Sequence, residues 1–147
     1  MSSHTIPCCR ATPTLAFGPQ VPHELLPSIA KEFNSVLNLR ATQEPGFLPD
    51  ESAIIQESGL PYVNLEWENA NDLTEDMARE IFQHIETLPK PLLVHCNVGY
   101  TAAFAVLVKV CKDNKLPAQQ CLQMGMGLGF DFTTFPNMYE ILVKELK

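Results

Sequence analysis

The amino-acid sequence predicts an α/β fold: a mostly parallel central sheet flanked by helices. Three observations predict it. Short strand-like segments alternate with amphipathic helical ones along the chain. Residues 92–94, Leu-Leu-Val, are apolar without a break, as a central strand covered on both faces must be. Residues 101–111 form an apolar helical stretch, so this helix too belongs in the interior. A length of 147 residues suits one domain, and no internal repeat divides it.

In order, residues 1–14 are expected to be a flexible tail and residues 15–147 the domain. The first 21 residues hold one arginine and no acidic residue. An organelle transit segment would carry more arginine, so a simple tail is favoured. Residues 15–17 read as a short edge strand. Residues 22–33 read as a helix with Leu25, Leu26, Ile29 and Phe33 on one side. Residues 35–39 alternate apolar and polar and suit a strand. Residues 43–49, with two prolines and Gly46, read as a loop. Asp50 is the expected cap of a helix over residues 51–58, closed by Gly59, and residues 60–65 return as a strand.

The stretch 66–73 is polar and irregular. Thr74 caps a strong helix, with Glu75 and Asp76 in the first turn opposing its dipole. Met77, Ile81, Ile85 and Leu88 form its apolar stripe, and Pro89 stops it. Residues 117–124 read as a helix with proline at its start. The glycine-rich run 125–132 reads as a tight connection rather than a lid. A last helix, 136–146, turns Met138, Ile141, Leu142 and Leu146 inward.

Composition excludes several functions. A net charge of −7 argues against a nucleic-acid partner, which calls for a basic face. The longest unbroken apolar run, residues 102–108, has 7 residues, against roughly 20 for a membrane span. The five cysteines are odd in number and contain no Cys-x-x-Cys, so a disulfide framework is not expected. A reducing intracellular compartment follows, the cytoplasm by default and an organelle if the first residues are an address. Histidines and cysteines lack ligand spacing, so neither a metal nor another cofactor is expected. Nothing in the sequence sets the oligomeric state.

The segment that carries chemistry is residues 92–103, LLVHCNVGYTAA. It reads as buried strand, then His95 and Cys96, a short loop with Gly99, then the apolar helix. A loop from strand to helix aims several backbone N–H groups at one point, and the helix N-terminus adds partial positive charge. A cysteine at its mouth has its thiolate stabilised. The carboxyl ends of parallel strands are also where ligands bind in open sheets. Asn97, Val98, Gly99, Tyr100, Thr101 and Ala102 are therefore the candidate anion-binding loop, with Cys96 the candidate nucleophile. Gly99 is expected at positive φ. His95 is expected to order the loop, with its side chain on the opposite face of the strand.

His-Cys-x-x-Gly after an apolar strand resembles the signature of the cysteine-dependent phosphatases, of the protein tyrosine and dual-specificity kind. The match is better to the branch called beta-lactamase hydrolase-like phosphatases. Residues 35–40 (SVLNLR), 57–65 (ESGLPYVNL) and 73–91 are similar to that branch's strands and helix, so the resemblance spans roughly residues 16–129. It implies a tyrosine-phosphatase-like fold, and a mechanism with Cys96 as nucleophile, a loop carboxylate as acid and a signature arginine as phosphate clamp. It also implies a phosphate or other small anion, or a phosphorylated substrate, as partner.

The chain departs from the family at the clamp. The short form of the signature puts the arginine at Thr101, the long form at Ala102, and neither is basic. Losing a desolvated bidentate contact to phosphate costs about 2–5 kcal/mol, or roughly 30- to several-thousand-fold in rate. Arg40, at the end of a predicted parallel strand, is a candidate substitute; equally it could pair with Glu44. Candidate acids are Glu66, Glu68 and Asp72, each also readable as a solvated carboxylate. Cys111 and Cys121 read as packing residues, and Trp67 either lines the pocket or covers the sheet edge. The expected function is a phosphatase-like anion binder with weak or no phosphatase activity. The alternatives are an active phosphoric monoester hydrolase and, less favoured, a rhodanese-like sulfur carrier.

Overall fold

The computed structural model describes residues 6–67 and 72–147. Five strands form one sheet in the order β1-β2-β5-β3-β4. They are β1 (Cys9–Thr12), β2 (Leu15–Gly18), β3 (Ser35–Asn38), β4 (Tyr62–Asn64) and β5 (Leu92–His95). Only the β1–β2 pair is antiparallel; β2, β5, β3 and β4 run parallel. β5 takes the central position, and its fully buried Leu92, Leu93 and Val94 explain the unbroken apolar run.

Alternation along the strands divides the core in two. Leu15, Phe17, Leu37, Leu92 and Val94 face a large cluster built with α2 (Glu75–Thr87), α3 (Tyr100–Asp113), α4 (Ala118–Gly127) and α5 (Pro136–Glu145). Ala16, Val36 and Leu93 face a smaller cluster with a 3-10 helix (His23–Lys31) and α1 (Glu51–Glu57). α3 is the hub of the large side: every residue from Ala102 to Cys111 is buried. Trp67, 3% exposed, stands edge-to-face on Phe104 of α3, their centroids 6.1 Å apart.

The structure corrects three local expectations. Residues 6–14, expected within a flexible tail, are built into the domain: Ile6 is 2% exposed and Cys9–Thr12 forms β1. β2 is consequently an interior strand, not an edge. The predicted helix at residues 22–33 is a 3-10 helix, with Pro27 inside it. A proline has no amide to donate and crowds the preceding turn, which favours the short, tighter form. Finally, α4 runs through Gly125 into the glycine-rich segment. Phe132 lies so near Gly125 that a Cβ there would come within 2.5 Å of its ring, so glycine is what lets the helix continue.

Candidate functional site

β5 ends at His95, and the chain crosses to α3 through Cys96, Asn97, Val98 and Gly99. Gly99 sits at φ 94°, the left-handed region open to glycine, and occupies the N-cap position of α3. That turn aims its amide at the cysteine: the Gly99 N–H donates to Cys96 Sγ at 3.1 Å. The loop is tied down from the β2 side. Cys96 N–H donates to the Gly18 carbonyl at 3.2 Å, and Gln20 N–H to the Asn97 carbonyl at 3.0 Å. Cys96 itself is 5% exposed and belongs to the large core cluster, while Asn97 and Val98 project outward.

The predicted loop residues separate into different roles. Tyr100 does not offer its hydroxyl to the loop; it donates to the Asp131 carbonyl, and its ring is ringed edge-on by Phe130, Phe132 and Phe135. Ala102 is completely buried in the core, so no arginine could stand there. Thr101 is half-buried in the first turn of α3, which makes it the place where the short signature's arginine belongs. The rim is apolar: Val98, 70% exposed, walls a groove of about 280 Å³ with Pro7, Phe17, Pro19, Leu128 and Phe130.

On the opposite face of β5, His95 is fully buried, and its Nε2 donates to Glu51 Oε2 at 2.6 Å. Glu51, the first residue of α1, is 1% exposed. It also accepts from Gln20 Nε2 at 2.8 Å, from the Tyr62 hydroxyl at 3.2 Å and from Asn38 Nδ2 at 3.4 Å. Burial alone would push the Glu51 carboxyl up, but the donation from His95, Gln20 and Tyr62 outweighs it and holds the group below its ordinary value. Burial, with the Glu51 charge added, raises the Tyr62 phenol. Sequence reasoning missed Glu51 because an acid in a first turn reads as a solvated one. The available signal was its spacing: Glu51 lies four residues before the buried Ile55, on one helix face.

Arg40 is 1% exposed, and its donors go elsewhere than the loop. Nε bonds Glu44 Oε1 at 3.0 Å, Nη1 bonds Gln20 Oε1 at 2.9 Å and the Gly46 carbonyl at 3.2 Å, and Nη2 bonds the Pro45 carbonyl at 2.7 Å. It is thus a brace for the 40–46 loop, its charge paired with Glu44. Glu66 accepts from the Thr42 amide and hydroxyl. Asp72 is exposed just ahead of α2, and Glu68 lies outside the described residues. Cys111 and Cys121 are buried between α3 and α4, with Cys111 Sγ donating to Met124 Sδ at 3.6 Å. No group of three or more metal-ligating side chains occurs among the described residues, and no helix among them is long and apolar enough to cross a membrane.

No family model matches the chain, and no curated protein matches it. Solved structures do. A DUF442 protein of Shewanella putrefaciens CN-32 superposes with a TM-score of 0.80 at 17% identity, over 95% of this chain and 89% of that one. PTPMT1, crystallised with PI(5)P, gives 0.73 at 12% identity over 95% and 94%. The core catalytic domain of the PP-IP phosphatase SIW14 of S. cerevisiae, crystallised with citrate, gives 0.67 at 11% over 91% and 85%. The fold is therefore that of the cysteine-dependent phosphatases.

Proposed function

We propose that this protein uses the phosphatase fold to bind a phosphate or another small anion at the Cys96 loop, with phosphatase activity weak or absent. The observation that carries the reading is the pairing of a formed loop with a missing clamp. The Gly99 amide donates to Cys96 Sγ, while the clamp position in the first turn of α3 holds Thr101. The nearest candidate cation, Arg40, is spent on Glu44, Gln20 and two carbonyls. Anion binding then draws on backbone N–H groups and the N-terminal end of α3, which favour negative charge without a guanidinium. The two fold relatives crystallised with PI(5)P and with citrate support an anionic ligand, phosphorylated or carboxylated.

Catalysis would lack more than the clamp. Among the described candidates for a proton donor, Glu66 is engaged by Thr42 and Asp72 is exposed. The test is turnover of p-nitrophenyl phosphate beside Cys96→Ser, together with phosphate binding by calorimetry. The expected result is phosphate binding, with turnover at or near the Cys96→Ser background. Robust Cys96-dependent turnover would establish an active phosphoric monoester hydrolase instead. Restoring the clamp with Thr101→Arg should tighten phosphate binding and raise turnover by roughly 30-fold or more, the rate equivalent of about 2 kcal/mol. Ala102→Arg, which forces a cation into the core, should not fold.

A further inference from the structure

We infer that Glu51 is a positioning residue that holds His95 as an imidazolium beneath the Cys96 loop, leaving a fixed positive charge under a site whose guanidinium is gone. The inference deepens the anion-loop reading and rests on it for its functional consequence.

The argument is one of donors and acceptors. Both ring nitrogens of His95 face acceptors. Nε2 lies 2.6 Å from Glu51 Oε2, and Nδ1 lies 3.5 Å from the Cys96 carbonyl oxygen, a longer contact. A neutral ring would turn a bare lone pair toward one of those oxygens; only the doubly protonated ring donates to both. The carboxyl is equally determined. Glu51 takes donors from His95, Tyr62, Asn38 and Gln20. An ionised carboxylate is acceptor-only and uses them all, whereas a protonated one would have to place a hydrogen among them. The buried pair is therefore charged, with its positive end on the residue next to Cys96.

The surrounding charges are accounted for on every side. Gln20 stands between Glu51 and Arg40, and Arg40 is neutralised by Glu44. Asp50, next to Glu51 in the chain, is held at the surface by His23. Tyr62 on β4 and Asn38 on β3 are neutral donors. Because the Gln20 amide N–H also holds the Asn97 carbonyl, the same residue fixes the carboxylate and the loop above it.

The test uses the full chain labelled with 15N. Ring-nitrogen spectra at pH 7.5, with the His95 signals assigned through His95→Gln, should show a protonated ring in the native protein and its loss in Glu51→Gln. In parallel, iodoacetamide alkylation at Cys96, read by mass spectrometry from pH 6 to 9, should shift to higher pH in Glu51→Gln. Its rate at pH 7 should fall about threefold or more, the equivalent of half a pH unit, with the high-pH plateau retained. A purely structural role would lower the unfolding midpoint and leave the alkylation profile in place. A neutral His95 ring in the native protein, or an unmoved profile in folded Glu51→Gln, overturns the inference. Should Glu51→Gln not fold, Tyr62→Phe, which removes one donor to the carboxylate, must shift the profile the same way, and an unmoved profile there overturns it. Loss of phosphate binding with His95 still protonated would reject the anion-loop reading alone.

Discussion

At residue scale, Gly99 does more for the site than any charged side chain. Its φ of 94° turns the amide toward Cys96 Sγ, and a Cβ there would meet Gly18 and Pro19 only at ordinary contact distance, 3.5 Å. The cost of Gly99→Ala is thus backbone strain rather than a clash, about 1–2 kcal/mol. A denaturant midpoint lowered by that amount, with phosphate affinity reduced alongside, is the expected outcome; an unchanged midpoint would deny the turn its role. Glu51 was illegible in the sequence at this scale because its partner, His95, is 44 residues away. Only the parallel packing of β3 beside β5 brings α1 under the loop. Gln20 was missed for the same reason: an amide in an unstructured stretch gives no signal until three elements meet around it.

At the scale of elements, what could be read from the chain was what has a period. β5 announced itself by an unbroken apolar run, α3 by apolar residues on all sides, and α2 by its stripe and its cap, where the Thr74 hydroxyl accepts the Met77 amide at 3.1 Å. β1 did not, since Cys-Arg-Ala-Thr has no apolar alternation and its pairing depends on β2. The loop's place between β5 and α3 was legible, whereas the destination of Tyr100 was not, because its three phenylalanine neighbours lie 30 or more residues on. The α4 end makes a sharp prediction. Gly125→Ala puts a methyl against the Phe132 ring and the Phe130 carbonyl, and the overpacking should cost about 1–3 kcal/mol. Thermal unfolding measures it, and Gly127→Ala, which meets nothing within 4 Å, is the matched control.

For the whole molecule, the acid limb of stability should be dominated by one carboxylate. The Glu51 pKa is lowered in the folded state from its ordinary 4.5. Its contribution is therefore complete above that value and is lost as the pH falls through the lower folded one. The other depressed carboxyls, among them Glu75, Glu86 and Asp131, are on the surface, where water and salt screen their interactions. Urea midpoints measured from pH 6 to pH 3 should drop below pH 4.5 in the native protein. Glu51→Gln should start from a lower midpoint and show a flatter acid limb; parallel curves would reassign the effect to the surface.

The edge-on contact between Trp67 and Phe104 has a spectroscopic consequence. As the sole indole of the chain sits sealed against the helix whose first turn closes the loop, its fluorescence reports on that helix with no label added. Intrinsic emission can thus follow both the opening of the core and the arrival of an anion, in one cuvette and on the unmodified protein.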